Sequence, residues 1–167
     1  MKRVRTLVLT LSLLVTLAYF YSYTRGKERL MRDGNLFLFE LAPVDPRSLM
    51  QGDYMALRYD ITWKVPHDSL PDGGYLVFGL DEGDVAYYRR VQEDLTPLGG
   101  DEHLIRFRRR GRGGWRADRV EIASTSYFFQ EGEGDKYATA RYGGIRVDES
   151  GNAILVGLYD TDGELIQ

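Results

Sequence analysis

The sequence predicts a mostly β fold: an antiparallel β-sandwich or partly closed barrel with one short helix, preceded by one N-terminal transmembrane helix. Three observations predict it. The first charges are followed by a long uncharged apolar stretch, the rest of the chain breaks into short apolar runs between Gly, Pro and Asp, and the connections are too short to hold crossover helices. A parallel sheet needs such helices, so an antiparallel arrangement is the default.

Lys2, Arg3 and Arg5 precede an uncharged segment from Thr6 to Thr24. Nineteen helical residues span roughly 28 Å, close to the hydrocarbon thickness of a bilayer. Tyr19, Phe20, Tyr21 and Tyr23 gather at its far end, where amphipathic rings favour the membrane–water interface. Residues 1–24 therefore read as a signal anchor that meets the lipid bilayer through residues 6–24. Cleavage after Ala18, in Thr16-Leu17-Ala18, is the alternative, and the aromatic run that follows is a poor cleavage context. A short basic N-tail before a long polar domain favours a single-pass protein with its C-terminal domain outside, at the periplasmic face of a bacterial inner membrane. Arg25, Lys27, Arg29 and Arg32 also place cations on the far side and weaken that charge signal.

Residues 25–34 read as a juxtamembrane connector, and residues 35–167 as one extracytoplasmic β domain. Asn35–Leu41 is a short apolar run ending at Pro43 and Pro46. Asp53–Thr62 alternates, with Met55, Leu57, Tyr59 and Ile61 on one face, the period of a half-buried strand. Tyr75–Leu80 and Val85–Val91 read as a hairpin about Asp81–Asp84. His103–Arg110 and Trp115–Ala123 follow, joined by a Gly-rich turn. Glu131–Arg141 is the best place for a short helix, with Gly132 and Gly134 weakening its start. Gly144–Val147 and Ala153–Tyr159 form a last hairpin about Asp148–Asn152. This makes about eight strands.

The 167 residues are 43% hydrophobic and contain no cysteine. That composition is globular, and it excludes disulfides, thiolate metal sites and a cysteine nucleophile. With only His67 and His103, a His-rich metal or catalytic site is not expected. No cofactor, metal site or catalytic residue is assigned.

The most informative stretch runs from Pro43 to Tyr59, PVDPRSLMQGDYMALRY. Asp45-Pro46 favours turn initiation, Gly52 permits backbone conformations closed to other residues, and Asp53 could accept turn amides or pair with Arg47. A turn with a fixed strand register is one reading. A ligand or partner surface built from Asp45, Arg47, Asp53 and Tyr54 is the other. Gly52, Asp53, Tyr54, Leu57 and Tyr59 match every fixed position of the signature after which the bacterial GDYXXLXY family is named, and here the sequence resembles that family. Tyr127–Gly134, with Tyr127, Glu131 and Gly132, is similar to the family's second block, and residues 145–157 to its C-terminal hairpin. The resemblance implies a membrane-anchored protein of uncharacterised function, associated with a multi-pass membrane protein partner. It supplies no catalytic residues.

The function this supports is a membrane-anchored binding or accessory module of the cell envelope. The alternative is a membrane-tethered hydrolase acting on envelope peptide or glycan. Ser48 would need Lys64 or Lys136 as its activating base. Glu131, Glu133 and Asp135 beside Tyr127, Phe128 and Phe129 are the residue types of a glycan site, although acidic residues also gather at helix N-termini.

Seven arginines, Arg106, Arg108, Arg109, Arg110, Arg112, Arg116 and Arg119, are offset within their stretch by Asp118 alone. In a cytosolic protein this mixture with Gly and Trp115 would suggest nucleic acid. Beyond a membrane no nucleic acid partner is expected, and the available anions are lipid headgroups, acidic glycans and acidic protein faces. A hairpin with a solvated basic rim is the plainer account.

Overall fold

A computed structural model describes residues 2–42, 54–66, 70–111 and 119–167. The first element is one continuous helix, α1 (Lys2–Asp33), so the connector is helical to its last residues. Its large apolar side chains from Val4 to Tyr23 are all 56–68% exposed. Water would not tolerate so much contiguous apolar surface, and the helix is long and apolar enough to cross a membrane. Three of its hydroxyls are satisfied internally: Thr10 donates to the Thr6 carbonyl (3.0 Å), Ser12 to Leu9 (2.9 Å) and Thr16 to Ser12 (2.9 Å). Toward the C-terminal end of the apolar stretch the Arg25 guanidinium stands over the Tyr21 ring at 4.5 Å.

The helix stops before Gly34, a position that only glycine fits. The Gly34 N–H returns to the Leu30 carbonyl (3.1 Å), and a Cβ at this position would lie 2.5 Å from that oxygen. Arg146 then donates to the Gly34 carbonyl (2.6 Å), and Leu30 is buried against the domain. The helix is built into the sheet.

Among the described residues nine strands follow: β1 (Asn35–Glu40), β2 (Tyr54–Ala56), β3 (Gly73–Leu80), β4 (Ala86–Gln92), β5 (His103–Arg110), β6 (Arg119–Glu121), β7 (Ser126–Phe128), β8 (Tyr142–Val147) and β9 (Ala153–Tyr159). They pair antiparallel in the orders β1-β8-β9, β2-β7 and β4-β3-β5-β6. A parallel bridge between Leu38 and Val85 joins β1 to the entry of β4. The turn between β8 and β9 reaches the free edge of β5, where Arg106 N–H donates to the Gly151 carbonyl (2.8 Å). The strands thus curl into a half-barrel, as the short connections predict.

Its interior is aromatic. Phe37 and Phe39 meet Phe78 edge-on at 5.1 and 5.2 Å, and Phe39 meets Tyr59 at 6.2 Å. Leu76, Ile105, Phe107, Ile145 and Leu158 close the space around them. Gly151 carries the tightest turn, with φ +75° and an added Cβ only 2.6 Å from Leu104 Cδ1 and 3.1 Å from the Arg106 backbone nitrogen. Gly151→Ala is therefore expected to destabilise the domain by about 1–3 kcal/mol, read by chemical denaturation.

The expected strand over Asp53–Thr62 is shorter than its pattern. Met55, Leu57, Tyr59 and Ile61 are all buried, so the period of two holds. The backbone, however, changes partners along the way. Tyr54–Ala56 pairs with β7, and Leu57 N–H donates to the Thr125 carbonyl (2.8 Å). The Arg58 carbonyl accepts from Ala42, and Tyr59 bridges Leu41 at the end of β1. Thr62 N–H then returns to Tyr59 (3.1 Å) and starts a 3₁₀ turn, Asp60–Trp63. The helix expected over Glu131–Arg141 is a single turn, α2 (Gly134–Tyr137), entered through Gly132 at φ +86°. Strand β7 was not expected, being three residues inside an aromatic block. Of the strand expected over Trp115–Ala123, β6 is the described part, and residues 112–118 lie outside the described residues.

An ion-pair network ties β4 to the loop before β5. Arg89 bonds Asp101 (2.5 Å), while Arg90 bonds Glu102 and the Pro97 carbonyl (3.0 Å). Glu102 also accepts the Gly99 N–H (2.8 Å), and these partners, Arg90 first, hold its carboxyl down to about 2. A depressed carboxylate stabilises the folded state above its unfolded value of 4.5 and loses that contribution as pH falls toward about 2. Glu102→Gln is accordingly expected to lower the thermal midpoint at pH 7, with the gap to wild type closing over that acid range.

Candidate functional site

The two sequence blocks singled out above meet in space. Met55 pairs with Tyr127 and Tyr54 with Phe128 across the β2–β7 ladder. The Tyr54 and Phe128 rings stand 5.7 Å apart, with Phe128 largely exposed. Tyr127 meets Tyr137 edge-on at 5.1 Å, and burial together with a hydrogen bond to Tyr137 pushes its phenol up. Glu131 and Gly132 sit in an exposed turn beyond this pair. Asp45, Arg47, Gly52 and Asp53, like Ser48, lie outside the described residues.

Leu57 and Tyr59 are buried, each 3% exposed. The Tyr59 hydroxyl donates to the Ser124 carbonyl (2.9 Å), and burial pushes its phenol far above the ordinary value, so the ring stays neutral. On the solvent side of these two residues lies a cavity of about 370 Å³, walled by Leu57, Tyr59, Trp63 and Val120. Arg58, Arg119, Thr62 and Thr125 bring polar groups to it. Arg58 and Arg119 are exposed and have no carboxylate partner among the described residues. Glu121, also in the wall, is taken by Arg110 (2.9 Å).

The GDYXXLXY family model matches residues 16–158, nearly the whole chain. The chain belongs to the GDYXXLXY family. No curated protein and no solved structure matches it. The family's signature therefore maps onto a defined piece of structure. Its described fixed residues are Tyr54, Leu57 and Tyr59, and the last two form the wall of the cavity. Arg58 occupies one of the positions that the signature leaves open. Tyr54, Tyr127 and Glu131 do not line this cavity, so the two blocks touch without converging on one pocket.

The arginine stretch divides between two faces of β5. Arg106 donates to the Tyr75 hydroxyl (3.1 Å) and lies over that ring, Arg108 is exposed, and Arg110 holds Glu121. Arg109 falls in the inward register of Ile105 and Phe107, and its guanidinium donates to the Leu70 carbonyl (2.6 Å). Arg112 and Arg116 lie outside the described residues. The sequence reading did not single out Arg58, Trp63, Val120 and Thr125. The usable signal was the outward position of Arg58 in an alternating run, beside a tryptophan four residues past the signature tyrosine.

The lysines that a Ser48 nucleophile would need are engaged elsewhere. Lys64 pairs with Asp60 (2.7 Å), and that hydrogen bond raises its pKa, the opposite of what a general base requires. Lys136 pairs with Glu133 (3.6 Å). Among the described residues no group of three His, Asp or Glu side chains is placed to hold a metal ion.

Proposed function

We propose that this chain is an extracytoplasmic binding or accessory module of a bacterial inner membrane, held by its uncleaved N-terminal helix beside a multi-pass membrane partner. The observation that supports this reading is the junction between anchor and domain. Leu30 is buried in the domain, the backbone at Gly34 has no room for a Cβ, and Arg146 clamps the Gly34 carbonyl. A tether serving only to retain a protein at a membrane needs no such attachment. A module that must present one face to a neighbour in the bilayer does. The basic N-terminal tail and the length of the polar domain support N-inside, C-outside topology.

Photo-crosslinkers placed at the exposed Lys27 and Met31, followed by purification from native membranes, test the partner. One stoichiometric multi-pass protein is the expected product, and recovery of none counts against the reading. A reporter fused after Gln167 is expected to be active only outside the cytoplasm. Activity inside would overturn the topology.

A further inference from the structure

We infer that the cavity beside the signature binds a carboxylate carried next to an apolar side group. The argument starts from charge. Two exposed arginines without carboxylate partners among the described residues, Arg58 and Arg119, border one cavity, and the one acid among its described lining residues, Glu121, is already neutralised by Arg110. The vacant donors favour an anion, and guanidinium groups bind carboxylates through paired N–H donors. Apart from Thr62 and Thr125 the remaining wall is mainly apolar and aromatic, from Leu57, Val120 and Trp63, with Trp63 62% exposed and free to cover an apolar group. At about 370 Å³ the space suits a small molecule or one or two side chains of a peptide.

Lipid headgroups fit less well, because of where the cavity lies. Leu30 is the one buried residue among the described side chains of α1, so the sheet leads away from the helix and does not fold back along it. The cavity is reached at Tyr59, which bridges Leu41 at the far end of β1. Six strand residues set it about 20 Å along β1 from the helix end. Outside the membrane surface, the apolar and aromatic wall beside the two guanidinium groups favours a carboxylate on an apolar carrier, borne either by a free small molecule or by a peptide segment. The fixed Leu57 and Tyr59 supply the wall, and Arg58, at an open signature position, supplies charge. Ligand choice is thus separated from fold within a single turn of sequence.

This deepens the binding-module reading, and its test is independent of the crosslinking experiment. The full chain in detergent micelles, carrying Trp115→Phe so that Trp63 is the sole tryptophan, is titrated by fluorescence and calorimetry. The probes are N-acetyl-phenylalanine and an N-acetylated, C-amidated leucyl-glutamyl-phenylalanyl tripeptide. Their neutral counterparts are N-acetyl-phenylalanine amide and the N-acetylated, C-amidated leucyl-glutaminyl-phenylalanyl tripeptide. Saturable binding of either acid at least tenfold tighter than its neutral counterpart, with a blue shift of Trp63, is expected, and the tighter acid names the source. The double variant Arg58→Ala/Arg119→Ala is expected to lose at least tenfold in affinity while keeping its thermal midpoint, since neither side chain has a carboxylate partner among the described residues. Equal binding of acid and amide, no binding at millimolar probe, or unchanged binding by the double variant would overturn the inference. Failure here leaves capture of a membrane partner untouched, and the reverse also holds.

Discussion

Tyr59→Ala is expected to destabilise the domain by about 3–5 kcal/mol, a large part of the total for a fold of this size. The ring is 3% exposed and packs edge-on against Phe39 at 6.2 Å, within the cluster centred on Phe78. Truncation removes that packing and also strips the Ser124 carbonyl of its donor. Tyr59→Phe separates the two contributions: with the ring retained and the hydroxyl lost, about 1 kcal/mol is expected. The pH dependence supplies a second check. Burial raises the phenol above its unfolded value of 10.0, so the stability it contributes is present below pH 10 and lost as pH rises beyond it. Denaturation curves collected from pH 8 to 11 are expected to fall more steeply in wild type than in Tyr59→Phe.

The second large effect concerns the membrane. Leu13→Arg places a charge near the middle of the apolar segment, at a cost of about 2.5–3.5 kcal/mol to insertion. Adding Leu14→Arg roughly doubles the penalty. Both side chains are more than half exposed along α1, so neither substitution disturbs the packing of the domain. Carbonate-washed membranes are expected to lose most of the double variant, whereas Leu13→Ala stays bound. Retention of the double variant would mean that contacts other than the helix hold the protein at the membrane.

The long apolar helix, the hairpins and the alternation of buried residues were legible because each rests on local periodicity or turn chemistry. His103–Arg110 and Ala153–Tyr159 are strands over the residues expected. The run from Tyr54 to Thr62 shows the limit. Side-chain alternation reports which residues face the core, and it is silent on which strand lies alongside. This segment crosses from β7 to β1, so a correct burial pattern gave too long a strand. Arg109 illustrates the same point from the other side. A row of arginines reads as one basic surface, yet the pleat sends alternate members to opposite faces. The candidate cavity was out of reach for a different reason. Arg58 and Arg119 are far apart in sequence, and only the path of Leu57–Trp63 beside β6 brings them to one wall.

The unbroken course of α1 into the sheet makes the bilayer and the domain share one angular coordinate. Each helical residue turns the chain by about 100° and advances it by about 1.5 Å. One alanine inserted between Lys27 and Glu28 would leave every contact inside the domain intact. It would swing the cavity through more than a quarter of a revolution about the helix axis, away from whatever it faces across the membrane surface. Seven inserted residues would nearly restore the heading while raising the domain by about 10 Å. A ladder of such insertions therefore measures azimuth and height separately, as a compass and a ruler cut into the same rod.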